Sequence, residues 1–204
     1  MHCINEDFMM TDDDWLALVD SVSTIGHRLI TSVQDFDRAC DHIEQLLLDS
    51  AVVFRRGSAG TTIFLAITAL EETAKAHLGL YRSGAPLKRA NDPLYHHSKK
   101  HQLAAGPSVP LASRLLDTIG NDRVQALILA ARSGQLVQMR EASLYFESDG
   151  QQLRTPEDVV TLSQARELLM FAIEAFDDAL VGYSSHSFQI GERLDMLFNE
   201  LAAA

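Results

Sequence analysis

The chain of 204 residues is 47% apolar and 22% charged, and its 28 Asp and Glu against 17 Lys and Arg give a formal net charge of -11. These proportions suit one globular domain with a core to bury, and they exclude a disordered or collagen-like chain. They also exclude a broad polynucleotide-coating surface, which takes an excess of cations to displace counterions, so any contact with RNA has to be local.

No run reaches the ~20 apolar residues of a membrane span, and Met1 to Asp7 lacks the basic-then-apolar order of a leader. Cys3 and Cys40 make neither a disulfide framework nor metal-ligand spacing. The expectation is a cytoplasmic protein with no cofactor, no metal and no membrane contact. Charge is uneven along the chain. Residues 1–50 carry two basic and eleven acidic residues, whereas 82–101 carry five basic residues against Asp92 alone. That basic island also holds His96, His97 and His101.

The chain reads at helical period. Thr11 before three aspartates is an N-cap, and Trp15, Leu18, Val19, Val22, Ile25, Leu29 and Val33 follow at spacings of three and four, predicting a first helix. Ser32 with Asp35 opens a second helix, which runs through Phe36, Cys40, Ile43 and Leu47 to a stop at Arg55, Arg56 and Gly57. The stretch from about Ala59 to Tyr81 is apolar and rich in small residues, as a helix buried on most faces would be. Asp92 and Pro93 open a short helix through His101 to Ala105. Val109 to Ile119 and Arg123 to Ser133 are further helical stretches. Alternation at Ser143 to Glu147, a Gly150 turn and Gln151 to Arg154 predict a small hairpin. Thr155-Pro156-Glu157 and Thr161 with Gln164 signal the next helix, and one from about Phe188 to Leu201 closes the chain.

Three polar clusters stand out. Glu71, Glu72 and Lys75 are the only charged residues between Ser58 and Leu80, and Glu71 falls on the line of Ile67, Ala74 and Leu78. An ionised carboxylate buried there must be paired, and Lys75 at i+4 is the expected partner; on a solvated face the same pair would contribute only about 0.3–0.5 kcal/mol. In Tyr95 to His101, the pairs His97 with His101 and His97 with Lys100 share a helical face. Histidine beside lysine suits proton transfer at a ribose 2′-hydroxyl or phosphate binding. Arg140, just before the hairpin, is placed to clamp a phosphate or carboxylate, with Tyr145 close behind. These clusters are expected to converge on one polar pocket.

Their order carries a resemblance. Arg-Arg-Gly-Ser-Ala-Gly at 55–60, Leu-Ala-Ile-Thr-Ala-Leu-Glu-Glu-Thr-Ala-Lys at 65–75, His97-x-x-Lys100, Arg140-Glu-Ala-Ser-Leu-Tyr145 and a later Thr-Pro-Glu resemble the AbiV family of phage abortive-infection proteins, in the HEPN superfamily. The resemblance covers residues 34–183 and implies an all-α antiparallel bundle, here with a helical extension at 1–33, a C-terminal helix at 184–204 and one short hairpin. It implies a bacterial antiphage role, a homodimer, and the metal-independent endoribonuclease chemistry of many HEPN proteins. In that chemistry an Arg and a His four to six residues beyond it act on RNA. Arg89 and His96 have the outer spacing, but Ala90 occupies the usual polar place and Pro93 interrupts a helix between them.

Two readings stay open. In one, His97 is the general acid or base, Arg140 or Arg89 steadies the phosphate, and Lys100 and Lys75 add positive field. In the other, a non-catalytic helical module binds RNA or a nucleotide through the basic patch, or engages a phage or host protein. Glu71, Glu72, Lys75, Arg89, His96, His101 and Tyr145 are the expected binding residues.

Overall fold

The computed structural model describes residues 11–106, 113–148 and 150–204. The leader question, Cys3, Asp149 in the hairpin turn and the expected helix start at Val109 lie outside them. Among the described residues the chain is all-α, with ten helices and a single two-stranded hairpin. The helices are α1 (Asp12–Thr24), α2 (Val33–Arg55), α3 (Ala59–Tyr81), α4 (His97–Ala104), α5 (Ser113–Ile119), α6 (Asn121–Arg132), α7 (Gln135–Ala142), α8 (Pro156–Val159), α9 (Leu162–Leu180) and α10 (Ser185–Ala202).

The caps read in the sequence form as expected. Thr11 and Asp14 make a reciprocal capping box, Ser32 accepts from the Asp35 amide, and Thr161 pairs reciprocally with Gln164. Each satisfies amides that the first helical turn leaves without partners. Gly57, at φ 81°, makes the reversal between α2 and α3. The short turn sets those two helices side by side, and α9 packs on α3 beside them. α3 is buried nearly all round, from Ile63 and Ile67 to Leu70 and Leu78, and is the central helix of the bundle. α10 covers α2 and α9, while α4 and α7 lie against another side of α3.

Several expectations need correction. α1 ends at Thr24; of the apolar residues that continue its spacing, Ile25 and Leu29 belong to a connecting segment and Val33 to the first turn of α2. That segment is docked: the Leu29 amide donates to the Gly79 carbonyl (3.0 Å), and Ile30 is buried. Asp92 and Pro93 open a single 3-10 turn, Pro93–Tyr95, preceded by another at Arg89–Asn91, and the α-helix begins only at His97. The hairpin pairs Glu147 with Arg154 and Ser148 with Leu153, so its first strand starts later than expected, and buried Ser143 instead ends α7. Thr155 and Thr161 cap two separate helices, and α10 starts three residues earlier than read, capped by Ser184.

One buried ion pair fixes the approach to α4. Arg82, at the end of α3, donates from Nη1 to Asp92 (2.9 Å) and from Nε to the Ile25 carbonyl (2.7 Å). Asp92 in turn accepts from the Leu94 amide (3.0 Å). Neither side chain reaches solvent appreciably. The guanidinium lies so close to Gly26, at φ 76°, that a Cβ there would overlap it. The α1 exit, the end of α3 and the entry to α4 are thus tied at one point.

Candidate functional site

Glu71 lies midway along the central helix with a side chain only 3% exposed. The face that carries Ile67, Ala74 and Leu78 is buried, so the Glu71 carboxylate has to find partners within the protein. α4 supplies three of them. His97, Lys100 and His101 stand at i, i+3 and i+4, a spacing that puts them on one helical face. His97 Nδ1 donates to Glu71 at 2.7 and 2.8 Å, Lys100 Nζ at 2.5 Å and His101 Nε2 at 2.8 Å.

A fourth group comes from α7. Arg140 Nε lies 3.9 Å from Glu71 Oε1, and its guanidinium stacks on the Phe64 ring with 4.6 Å to the centroid. Burial pushes the Glu71 carboxyl upward, but the hydrogen bonds and charges of His101 and Lys100 more than offset this and hold it at about 2. The anion therefore persists across the physiological range. Against its single negative charge stand Lys100 and Arg140, so the cluster carries a positive surplus before either imidazole takes a proton.

The cluster has an inside and an outside. Lys100 and His101 are buried and reach only toward Glu71, so they set its charge and position. His97 is 48% exposed; with Nδ1–H given to Glu71, its Nε2 has no hydrogen-bond partner among the described residues. The buried Nε of Arg140 likewise donates to no described residue, and that side chain is 24% exposed. The arrangement offers one basic nitrogen and one fork of donors at the rim, held by a buried anion. Such a pair can move a proton and steady an oxyanion. Among the described residues no group of three or more His, Cys, Asp or Glu side chains is disposed to hold a metal ion.

Of the residues expected at one pocket, the structure brings together Glu71, His97, Lys100, His101 and Arg140. It does not bring Lys75 to Glu71. Lys75 instead pairs with Glu72 (2.8 Å) on a partly exposed neighbouring face, because α4 already fills the space over Glu71. Arg89 is not aligned with a histidine on a common helix: its guanidinium lies over the Tyr95 ring (4.8 Å), with Lys75 Nζ 5.7 Å from the same ring. His96 Nε2 is engaged with the Ala90 carbonyl (3.1 Å). Tyr145 is 63% exposed in the connection to the hairpin.

Sequence reasoning missed Phe64, which supports Arg140 from an apolar position on α3, and the Arg82–Asp92 pair that positions α4. An arginine, an aspartate and a phenylalanine at those separations carry no local signal.

No helix among the described residues is long and apolar enough to cross a membrane. No curated protein and no solved structure gives a significant match to the chain. The AbiV family of HEPN proteins matches residues 35–175, which include every member of the Glu71 cluster. With well over half of its length matched, the chain belongs to the AbiV family of HEPN proteins, a membership that suggests abortive-infection defence against phage.

Proposed function

We propose that the chain is an abortive-infection protein that cleaves RNA without a metal, using the rim of the Glu71 cluster. The observation that supports this is the held but open imidazole of His97: Glu71 takes its Nδ1–H, and Nε2 is left at the solvent edge of a cationic pocket. A buried carboxylate that orients a histidine by taking its Nδ1–H is the same division of labour as in hydrolytic triads. In the reaction His97 Nε2 takes the proton of a ribose 2′-hydroxyl, and the 2′-oxygen bonds to phosphorus. The bond to the 5′-oxygen then breaks, and that oxygen leaves with a proton from water. Arg140 offers its donors to the phosphate oxygens as their charge grows. Lys100 and His101, which touch only Glu71, are positioning residues in this scheme.

The test is incubation of the purified protein with RNA in EDTA. Products ending in 2′,3′-cyclic phosphate are expected, lost in His97→Ala and slowed by about 100-fold or more in Arg140→Ala. A second reading, a non-catalytic binding module, is favoured by the burial of Lys100 and His101, which makes much of the cluster a device for fixing α4 on α3. RNA retained without cleavage, with phage protection unchanged in His97→Ala, would select that reading instead.

A further inference from the structure

Glu72 and Lys75, turned away from the Glu71 cluster, line a cavity of about 250 Å³ on the adjoining face of α3. Its floor is apolar: Ile30 from the segment before α2, Ile43 from α2 and Ala76 from α3 are all buried. Its rim carries Lys75, Glu72 and Asp35, with the exposed His42 of α2 beside them. Each of the three has unused hydrogen-bonding capacity. Lys75 Nζ has three protons and gives one to Glu72 Oε2, and Glu72 Oε1 has no hydrogen-bond partner among the described residues. Asp35 accepts from the Ser32 and Thr31 hydroxyls through Oδ2, and a carboxylate with about four lone-pair sites keeps further acceptor capacity. The Ser32 hydroxyl holds the Asp35 carboxyl below its usual range, so it is an anion at neutral pH.

An ammonium donor and two carboxylates above an aliphatic floor call for a ligand that bears both signs of charge and a compact apolar tail. The volume, just under the ~300–1,000 Å³ of pockets for drug-sized molecules, suits a small metabolite better than a nucleotide. We propose that this cavity is a binding site for a free α-amino acid with a branched aliphatic side chain. The carboxylate meets Lys75, the ammonium meets Glu72 and Asp35, and the side chain lies on Ile30, Ile43 and Ala76. The site shares α3 with the Glu71 cluster but none of its side chains, and it does not depend on RNA cleavage.

The experiment is calorimetric titration of the whole chain with L-leucine, with 3-methylbutylamine, which lacks the carboxylate, and with 4-methylpentanoate, which lacks the ammonium. Leucine is expected to bind saturably with a Kd of about 1 mM or tighter, and each half-molecule at least about tenfold more weakly. Lys75→Met should weaken leucine by at least about tenfold, and Ala39→Phe, which fills the cavity from α2, should abolish binding. His97→Ala should bind leucine as the parent does. Circular dichroism identifies a variant that fails to fold, and the two half-molecules test the charge requirement on the parent protein alone. Absence of saturable leucine binding, equal binding of either half-molecule, or unchanged affinity in a folded Lys75→Met protein would overturn the assignment.

Discussion

Replacing Lys100 by methionine tests the energetics of the Glu71 cluster most directly. The change keeps the apolar stem of the side chain and removes the charge that lies 2.5 Å from a carboxylate only 3% exposed. Breaking a buried pair by removing one partner costs about 3–5 kcal/mol, because the remaining ion is left without compensation. Proton linkage gives the same scale. Glu71 is held at about 2 against an ordinary 4.5, and at ~1.4 kcal/mol per pH unit this is about 3.5 kcal/mol. Since the folded value lies below the unfolded one, that stability is fully present above about pH 4.5 and is lost as pH falls toward 2. Removing Lys100 withdraws much of the offset while the burial that opposes ionisation remains. Lys100→Met should therefore lose about 3 kcal/mol at pH 7, a fall in Tm of roughly 6–12 °C for a chain of this size. Part of the parent protein's acid loss below pH 4.5 should disappear with it. Urea melts of parent and variant at pH 7 and pH 3 measure both effects. The control is Lys75→Met, whose pair with Glu72 is 31% and 23% exposed and should cost under ~1 kcal/mol. A loss below ~1 kcal/mol in Lys100→Met, or an equal loss in the two variants, would refute the reasoning.

Arg82→Met leaves Asp92 buried without its cation and should cost about 3–5 kcal/mol in a thermal melt, while RNA cleavage at a temperature where the variant is folded should also fall, because α4 loses its anchor. A variant that melts with the parent would show that the pair is not the clamp. The chain is expected to form a homodimer, since Tyr145, Phe146 and Leu153 expose apolar surface around the hairpin. Light scattering that gives 22.5 kDa at micromolar concentration would refute this.

The helical class, the apolar character of α3 and the starts of α1, α2 and α9 are legible in the sequence, because capping residues and a period of 3.6 act over one or two turns. Thr11, Ser32, Thr161 and the Gly57 reversal are all of this kind. Local pattern misled where tertiary docking uses the same residue types. Ile25, Leu29 and Val33 keep a helical spacing, yet the chain leaves the helix at Thr24, where Arg82 takes the Ile25 carbonyl and Gly79 takes the Leu29 amide. α7 was unread because an eight-residue helix with one buried side chain, Leu136, leaves almost no periodic signal. At the site, the sequence showed that Glu71, if buried, would need a cation, and that His97 would share a face with Lys100 and with His101. That these two features answer each other follows from the packing of α4 over α3, which no local pattern encodes. Lys75 at i+4 was the nearest cation along the chain, but a carboxylate is neutralised by whatever cation the packed helices bring to it, and α4 crosses over Glu71 while Lys75 is left on the adjoining face with Glu72. Sequence separation measures only the cheapest local partner; the desolvation cost of a buried anion is met by geometry that several helices set together.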